Sequence, residues 1–282
     1  MTYVFVGGSQ RSGTSLLAAS MCAGKETNQY LGESGGMRSL LQTYNHMAQR
    51  FDDESVFHFG SRQAMDEYYS AMLKMYLSQT LTCHAPASSL VLKEPHLTMH
   101  FGQIHRLLPH SLFVMLKRDP RDIAASMVRV GEKLKAKGSR HLFNSGDMAR
   151  IAESIAQFYR PVIAACNNNP AFKERCLWVT YDQLVSEPMI VIDQIRDFTG
   201  LKIELFDEKN PTKRTLPAKK KSREQSARAK PWNTSLMKNK GMSTASLGAF
   251  KDKLSADDIT LIEKTIGGLI KRFGYELTTE TD

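Results

Sequence analysis

Val4-Phe5-Val6-Gly7-Gly8-Ser9-Gln10-Arg11-Ser12-Gly13-Thr14-Ser15-Leu16-Leu17 reads as a strand, a glycine turn and the start of a helix. Such a turn aims backbone N–H groups and a helix N-terminus at one point, where an anion is stabilised without side-chain charge. Gly8, Gln10, Arg11, Ser12, Gly13, Thr14 and Ser15 are therefore the candidate ligands of an anion. A turn that merely caps a helix is the alternative. The strand before it, the amphipathic helix after it and Arg11-Ser12-Gly13-Thr14 inside it weigh against that.

Against the nucleotide-kinase pattern G-x-x-x-x-G-K-[ST], Gly8 and Gly13 keep the spacing and Ser15 keeps the hydroxyl. Thr14 stands where the lysine belongs. An NTPase needs that lysine, together with Mg²⁺, to neutralise charge on the transferred phosphoryl group. A sulfuryl group carries less negative charge, so a planar guanidinium fork from Arg11 can serve in their place, without metal.

Working outward, short runs rich in β-branched and aromatic residues recur at 3–6, 89–92, 112–116 and 177–180. Between them lie segments of helical periodicity at 13–23, 37–51, 62–82, 99–108, 120–135, 147–167, 188–199 and 256–273. In the segment 147–167, Ile151, Ile155, Phe158 and Val162 form a core-facing stripe. Strands alternating with helices predict an α/β fold, a P-loop-like three-layer parallel sheet with helices on both faces, in a single domain over 1–282. The strand 112–116 runs into Lys117-Arg118-Asp119-Pro120-Arg121-Asp122, where Asp119 suits a helix cap and Pro120 a first turn. Basic groups thus sit just past the C-terminal end of a strand, the edge where open α/β sheets bind ligands. Arg118 and Ser126 can face one phosphate there. Arg121 and Arg129 suit a solvated helix start as well as a ligand role.

A composition of 41% hydrophobic and 24% charged residues over 282 positions supplies enough apolar surface for a buried core. The net charge of +9 favours an anionic partner without choosing among nucleotide, nucleic acid, acidic polymer and membrane surface. No apolar run approaches the roughly 18 residues of a membrane span, and the first residues lead straight into the glycine turn, so a soluble chain is expected. Cys22, Cys83, Cys166 and Cys176 lack metal-ligand spacing and read as reduced thiols, which suits a cytoplasmic protein. Between 210 and 240, Pro211, Pro217 and Pro231 punctuate a run with Lys219, Lys220, Lys221, Arg223, Arg228 and Lys230. Its low apolar content predicts a mobile loop, more a solvated segment than a docking site.

The two segments around Gly8 and Arg118 resemble the donor-binding elements of the sulfotransferases that use 3′-phosphoadenosine-5′-phosphosulfate (PAPS). One element serves the 5′-phosphosulfate and the other the 3′-phosphate. The motif order is most similar to the tyrosylprotein sulfotransferases and their bacterial relatives. There a Gly-Glu follows the second strand, a Lys-Asp-Pro ends the third, an Arg-Asp-x-Arg opens the 3′-phosphate helix and a Tyr-Glu-Gln-Leu follows the fifth. This chain has Gly32-Glu33, Lys93-Glu94-Pro95, Arg118-Asp119-Pro120-Arg121 and Tyr181-Asp182-Gln183-Leu184 in the same order, over about residues 3 to 200.

The resemblance implies PAPS as donor, PAP as product, no metal and direct in-line attack by a hydroxyl acceptor: a peptide tyrosine, a sugar or a small alcohol. Nucleic acid is not among the partners it implies. It makes Glu33 the base, which pairing with a nearby Arg11 would orient, and Arg11 and Lys93 the stabilisers of the sulfuryl and leaving-group oxygens. His96 is the rival base. Tyr181 and Ser246 would contact the donor. The family's lysine and tryptophan beside that serine are absent, as Leu247 and Phe250 show, leaving Lys238 or Lys240 to compensate. The family also has a disulfide before its Tyr segment, which Cys166 and Cys176 would match; their pairing would imply an oxidising compartment. Two readings compete with this one: a metal-dependent P-loop nucleotide kinase, and a non-catalytic anion-binding module using the basic run.

Overall fold

The computed structural model describes residues 2–209 and 242–278. The basic run, with Lys238 and Lys240, lies outside the described residues. Four strands, β1 (Thr2–Gly7), β2 (Ser89–Lys93), β3 (Leu112–Lys117) and β4 (Cys176–Thr180), form one parallel sheet in the order β2-β1-β3-β4. Each strand expected from local composition is present. Side chains alternate across the sheet because the strand period is two. Phe5, Leu90, Leu92, Phe113 and Met115 enter one core, Val4, Val6, Val91, Val114, Leu116 and Val179 the other.

The first core is closed by α2 (Gly35–Gln49), the short α3 (Val56–Phe59), α4 (Arg62–Thr82), α5 (Phe101–Leu107), α6 (Pro120–Lys135), α7 (Met148–Asn168) and α8 (Pro170–Lys173). The helices α11 (Phe250–Lys253) and α12 (Ala256–Arg272) pack on the same side. The second core is closed by α1 (Thr14–Met21), α9 (Tyr181–Ser186) and α10 (Pro188–Thr199). The fold is therefore a three-layer α/β sandwich. Helix boundaries follow side-chain chemistry: Ser61 accepts from the Ala64 amide to start α4, and Asp119 accepts from Arg121 ahead of Pro120 to start α6. The predicted helix 99–108 starts earlier, as a 3₁₀ turn over Pro95–His100, because Pro95 sets the first-turn geometry and Glu94 caps it.

The order places β1 between strands reached by crossovers in opposite directions, so the sheet changes winding sense beside it. In open α/β sheets that is where a crevice opens for ligands. Cys166 and Cys176 are both free.

Candidate active site

The four strand ends line up along one edge. The register sets Val6 beside Lys93 and Gly7 beside Met115. The glycine turn therefore leaves the sheet with Lys93 on one flank and Arg118 on the other, and Tyr181 follows β4 one strand further out.

Within the turn, Gly8, Arg11 and Gly13 have φ of 145°, 68° and 109°. The Gly8 amide donates to the Thr98 hydroxyl at 3.0 Å and the Ser9 amide to the Tyr159 hydroxyl at 3.1 Å. Tyr159 in turn donates to the Leu116 carbonyl, which ties the turn to β3. The Ser12 amide and hydroxyl both donate to the Ser9 carbonyl. These bonds correct the expectation that the amides from 8 to 14 are uniformly available, and Ser12 is an internal brace rather than an open hydroxyl. The amides of Gln10, Gly13, Thr14 and Ser15 donate to nothing among the described residues. Three of them open α1, which has no side-chain cap. Unpaired N–H groups at a helix start are an anion site by construction.

Arg11, in the same turn, stands among like charges. Burial, with Arg129 and Arg118 adding like charge, pushes the Arg11 guanidinium down to about 10. An anion between these cations would relieve that strain. Arg118 is buried, lies 4.2 Å over the Tyr181 ring, and donates to the Arg11 carbonyl at 3.2 Å and the Ser246 carbonyl at 2.8 Å. Its buried Nε finds no acceptor among the described residues. Arg11 Nε donates to the Ser126 hydroxyl at 3.4 Å, and the Tyr181 and Ser246 hydroxyls meet at 3.0 Å. Arg11, Arg118, Ser126, Tyr181 and Ser246 thus form one connected group. Arg121 is not part of it: the side chain is buried in ion pairs with Asp119 and Glu263. Arg129 is exposed.

Gly13 is where the turn meets Tyr181. A Cβ there would lie 2.5 Å from the ring, on a backbone that L residues rarely adopt. Gly13→Ala is expected to lower the unfolding free energy by at least about 1–2 kcal/mol, the left-handed backbone cost alone. Denaturant titration measures this, and an unchanged midpoint would contradict the packing described.

The other flank holds Lys93, Glu33, Glu94 and His96. No strand precedes Gly32-Glu33; instead Thr27 and Glu33 make isolated bridges to Ser89 and Lys93 at the sheet edge. The bridge pins Glu33 at the end of β2, where its carboxylate takes the Lys93 ammonium at 3.2 Å. The partner of Glu33 is therefore Lys93, and the expected pairing with Arg11 is not made. Lys93 is buried at 4% side-chain exposure whereas Glu33 stands 62% exposed, so the carboxylate is the more open of the two.

Glu94, absent from the sequence-based site, organises the surroundings. One oxygen caps Leu97 at 2.8 Å, and the other meets His96 Nδ1 at 3.0 Å and Arg38 at 3.4 Å. The same Nδ1 also faces the Arg38 guanidinium at 3.4 Å, so Glu94 and Arg38 together orient the imidazole. Pro95 directly after Glu94 was the available signal for a helix-capping acid. Tyr159 had none, because its role depends on a contact 150 positions away.

A family model described as "Sulfotransferase family" matches residues 4–205. A Caenorhabditis briggsae protein assigned as a protein-tyrosine sulfotransferase is 27% identical over 199 residues, 70% of this chain and 65% of the relative. Protein-tyrosine sulfotransferase 1 of Danio rerio is 24% identical over 196 residues, 67% of this chain and 50% of the relative. The chain thus spans between half and two thirds of the length of these relatives. The sulfotransferase domain of the Synechococcus olefin synthase has a TM-score of 0.51 at 18% identity, covering 94% of each chain, which is a likeness of fold. Since the match to the family runs through all four strands and well over half of the residues, the chain belongs to the sulfotransferase family.

Proposed function

We propose that the chain is a PAPS-dependent sulfotransferase acting on a hydroxyl acceptor. The observation that carries the reading is the like charge that Arg118 and Arg129 place on Arg11, in the turn whose four amides, with the Nε of Arg118, find no acceptor among the described residues. Such a site fits a nucleotide with phosphates at both ends. PAPS supplies the sulfuryl group and leaves as PAP. Gln10, Gly13, Thr14 and Ser15 offer their amides, and Arg11 its fork, to the phosphosulfate. Arg118 and Ser126 serve the 3′-phosphate, with Tyr181 and Ser246 holding Arg118 in place. Glu33 holds the acceptor's proton, and Lys93 places fixed charge where the leaving oxygen develops its own. The curated relatives are named for protein tyrosine, so a tyrosyl peptide is the first acceptor to test, ahead of sugars and small alcohols.

Thr14 in place of a lysine gives the kinase reading no counter-charge for a γ-phosphate. Thermal unfolding separates the two. PAP at about 100 times its dissociation constant, with EDTA present, is expected to stabilise the protein by about 2.7 kcal/mol. Stabilisation by ATP with Mg²⁺ and none by PAP would reverse the assignment.

A further inference from the structure

Asp122 has no part in the chemistry above, yet it is a buried carboxylate, 3% exposed, at the start of α6. Its two oxygens accept the backbone N–H of Gly248 at 2.9 Å and of Phe250 at 3.0 Å, 126 and 128 positions away. Among the described residues no lysine or arginine forms an ion pair with it. Burial pushes the carboxyl up, while the two amides and the Arg118 charge hold it down. A carboxylate kept in such a place is explained by what it holds. Beside those amides is Ser246, whose carbonyl receives Arg118 and whose hydroxyl meets Tyr181. The neighbouring Arg121 lies 4.3 Å over the Phe250 ring at the end of that turn and pairs with Glu263 on α12.

We infer that Asp122 is a positioning residue for the donor: it grips the turn carrying Ser246, so that Ser246 and Arg118 stand in place before nucleotide arrives. The inference rests on the PAPS reading above. The donor site is then completed by the C-terminal segment, and Asp122 sets its geometry without touching the ligand.

Asp122→Asn keeps the shape but leaves one backbone N–H facing an NH₂ group, so only one of the two bonds survives. Losing a bond to a charged acceptor predicts PAP binding weakened about 10- to 100-fold. A merely structural anchor would lower stability and leave Ser246 independent. The discriminating measurement is therefore a double-mutant cycle by calorimetry with PAP. Ser246→Ala should weaken PAP binding severalfold in the wild-type background and less than about twofold in Asp122→Asn, since coupled residues are non-additive. Should Asp122→Asn fail to fold, hydrogen exchange on the wild-type chain decides. The Gly248 and Phe250 amides must be protected without nucleotide, and rapid exchange there would overturn the inference. So would PAP affinity in Asp122→Asn within twofold of wild type, or additive effects in the cycle. Absence of PAP binding to the wild-type protein would instead remove the donor reading, and this inference with it.

Discussion

Arg11→Gly is expected to abolish sulfuryl transfer, lowering kcat/KM by about a thousandfold or more, while the melting temperature holds or rises. Function and stability move in opposite directions because Arg11 is strained in two ways. It is the one non-glycine residue among those described with positive φ, and glycine removes that cost. Its guanidinium is half-buried and feels the charges of Arg118 and Arg129, and removing it relieves like-charge repulsion. The same charge, fixed in advance where transferred oxygens gather, is worth several kcal/mol in the transition state, as for other preorganised donors, at about 10²–10³ in rate for each. Loss of the bond to Ser126 adds misplacement to lost charge. Arg11→Lys should recover little, because an ammonium cannot reproduce the planar fork. Labelled PAPS with a tyrosyl peptide, alongside calorimetric melting, gives both readouts. Activity above a tenth of wild type in Arg11→Gly would remove Arg11 from the chemistry.

Glu33→Gln is the second large effect, with kcat falling about 10²–10⁴-fold, the usual contribution of a general base. Glutamine keeps an acceptor for the Lys93 ammonium, so the buried cation is not stranded and the change isolates proton removal. PAP affinity should stay within about twofold, because no donor ligand contacts Glu33 in the connected group around Arg11. His96→Gln is the control. The imidazole is oriented by a buried carboxylate, as a base should be, but Glu94 also caps the 3₁₀ turn and pairs with Arg38, so a scaffolding role accounts for the same contacts. Its loss is expected to cost less than about tenfold. Collapse in His96→Gln with near-normal turnover in Glu33→Gln would exchange the two roles.

Much of the site could be read before folding. Strand, glycine turn and helix at the N-terminus, Asp119-Pro120 opening α6 and Tyr181 at the end of β4 are all local: each depends on a few neighbouring side chains and on backbone preferences. The parallel sheet followed from the same short-range pattern repeated four times. What went astray was of another kind. Pairing Glu33 with Arg11 assumed that two residues near the same loop would meet. The sheet order instead puts β2 beside β1, so Glu33 bridges to Lys93, 60 positions away. Arg121, open to a ligand role on sequence grounds, is taken up by Asp119 and by Glu263, 142 positions along the chain.

By itself the sequence determined where strands and helices form and which edge of the sheet carries the cations, because period, capping and turn chemistry act within a few residues. Only the tertiary structure decided which amides of the glycine turn stay undonated, which carboxylate faces Lys93, and that Asp122 holds the Ser246 turn. Those outcomes come from hydrogen bonds between groups 60 to 150 positions apart. Their partners are chosen by strand order and helix packing, not by any preference the residues carry locally.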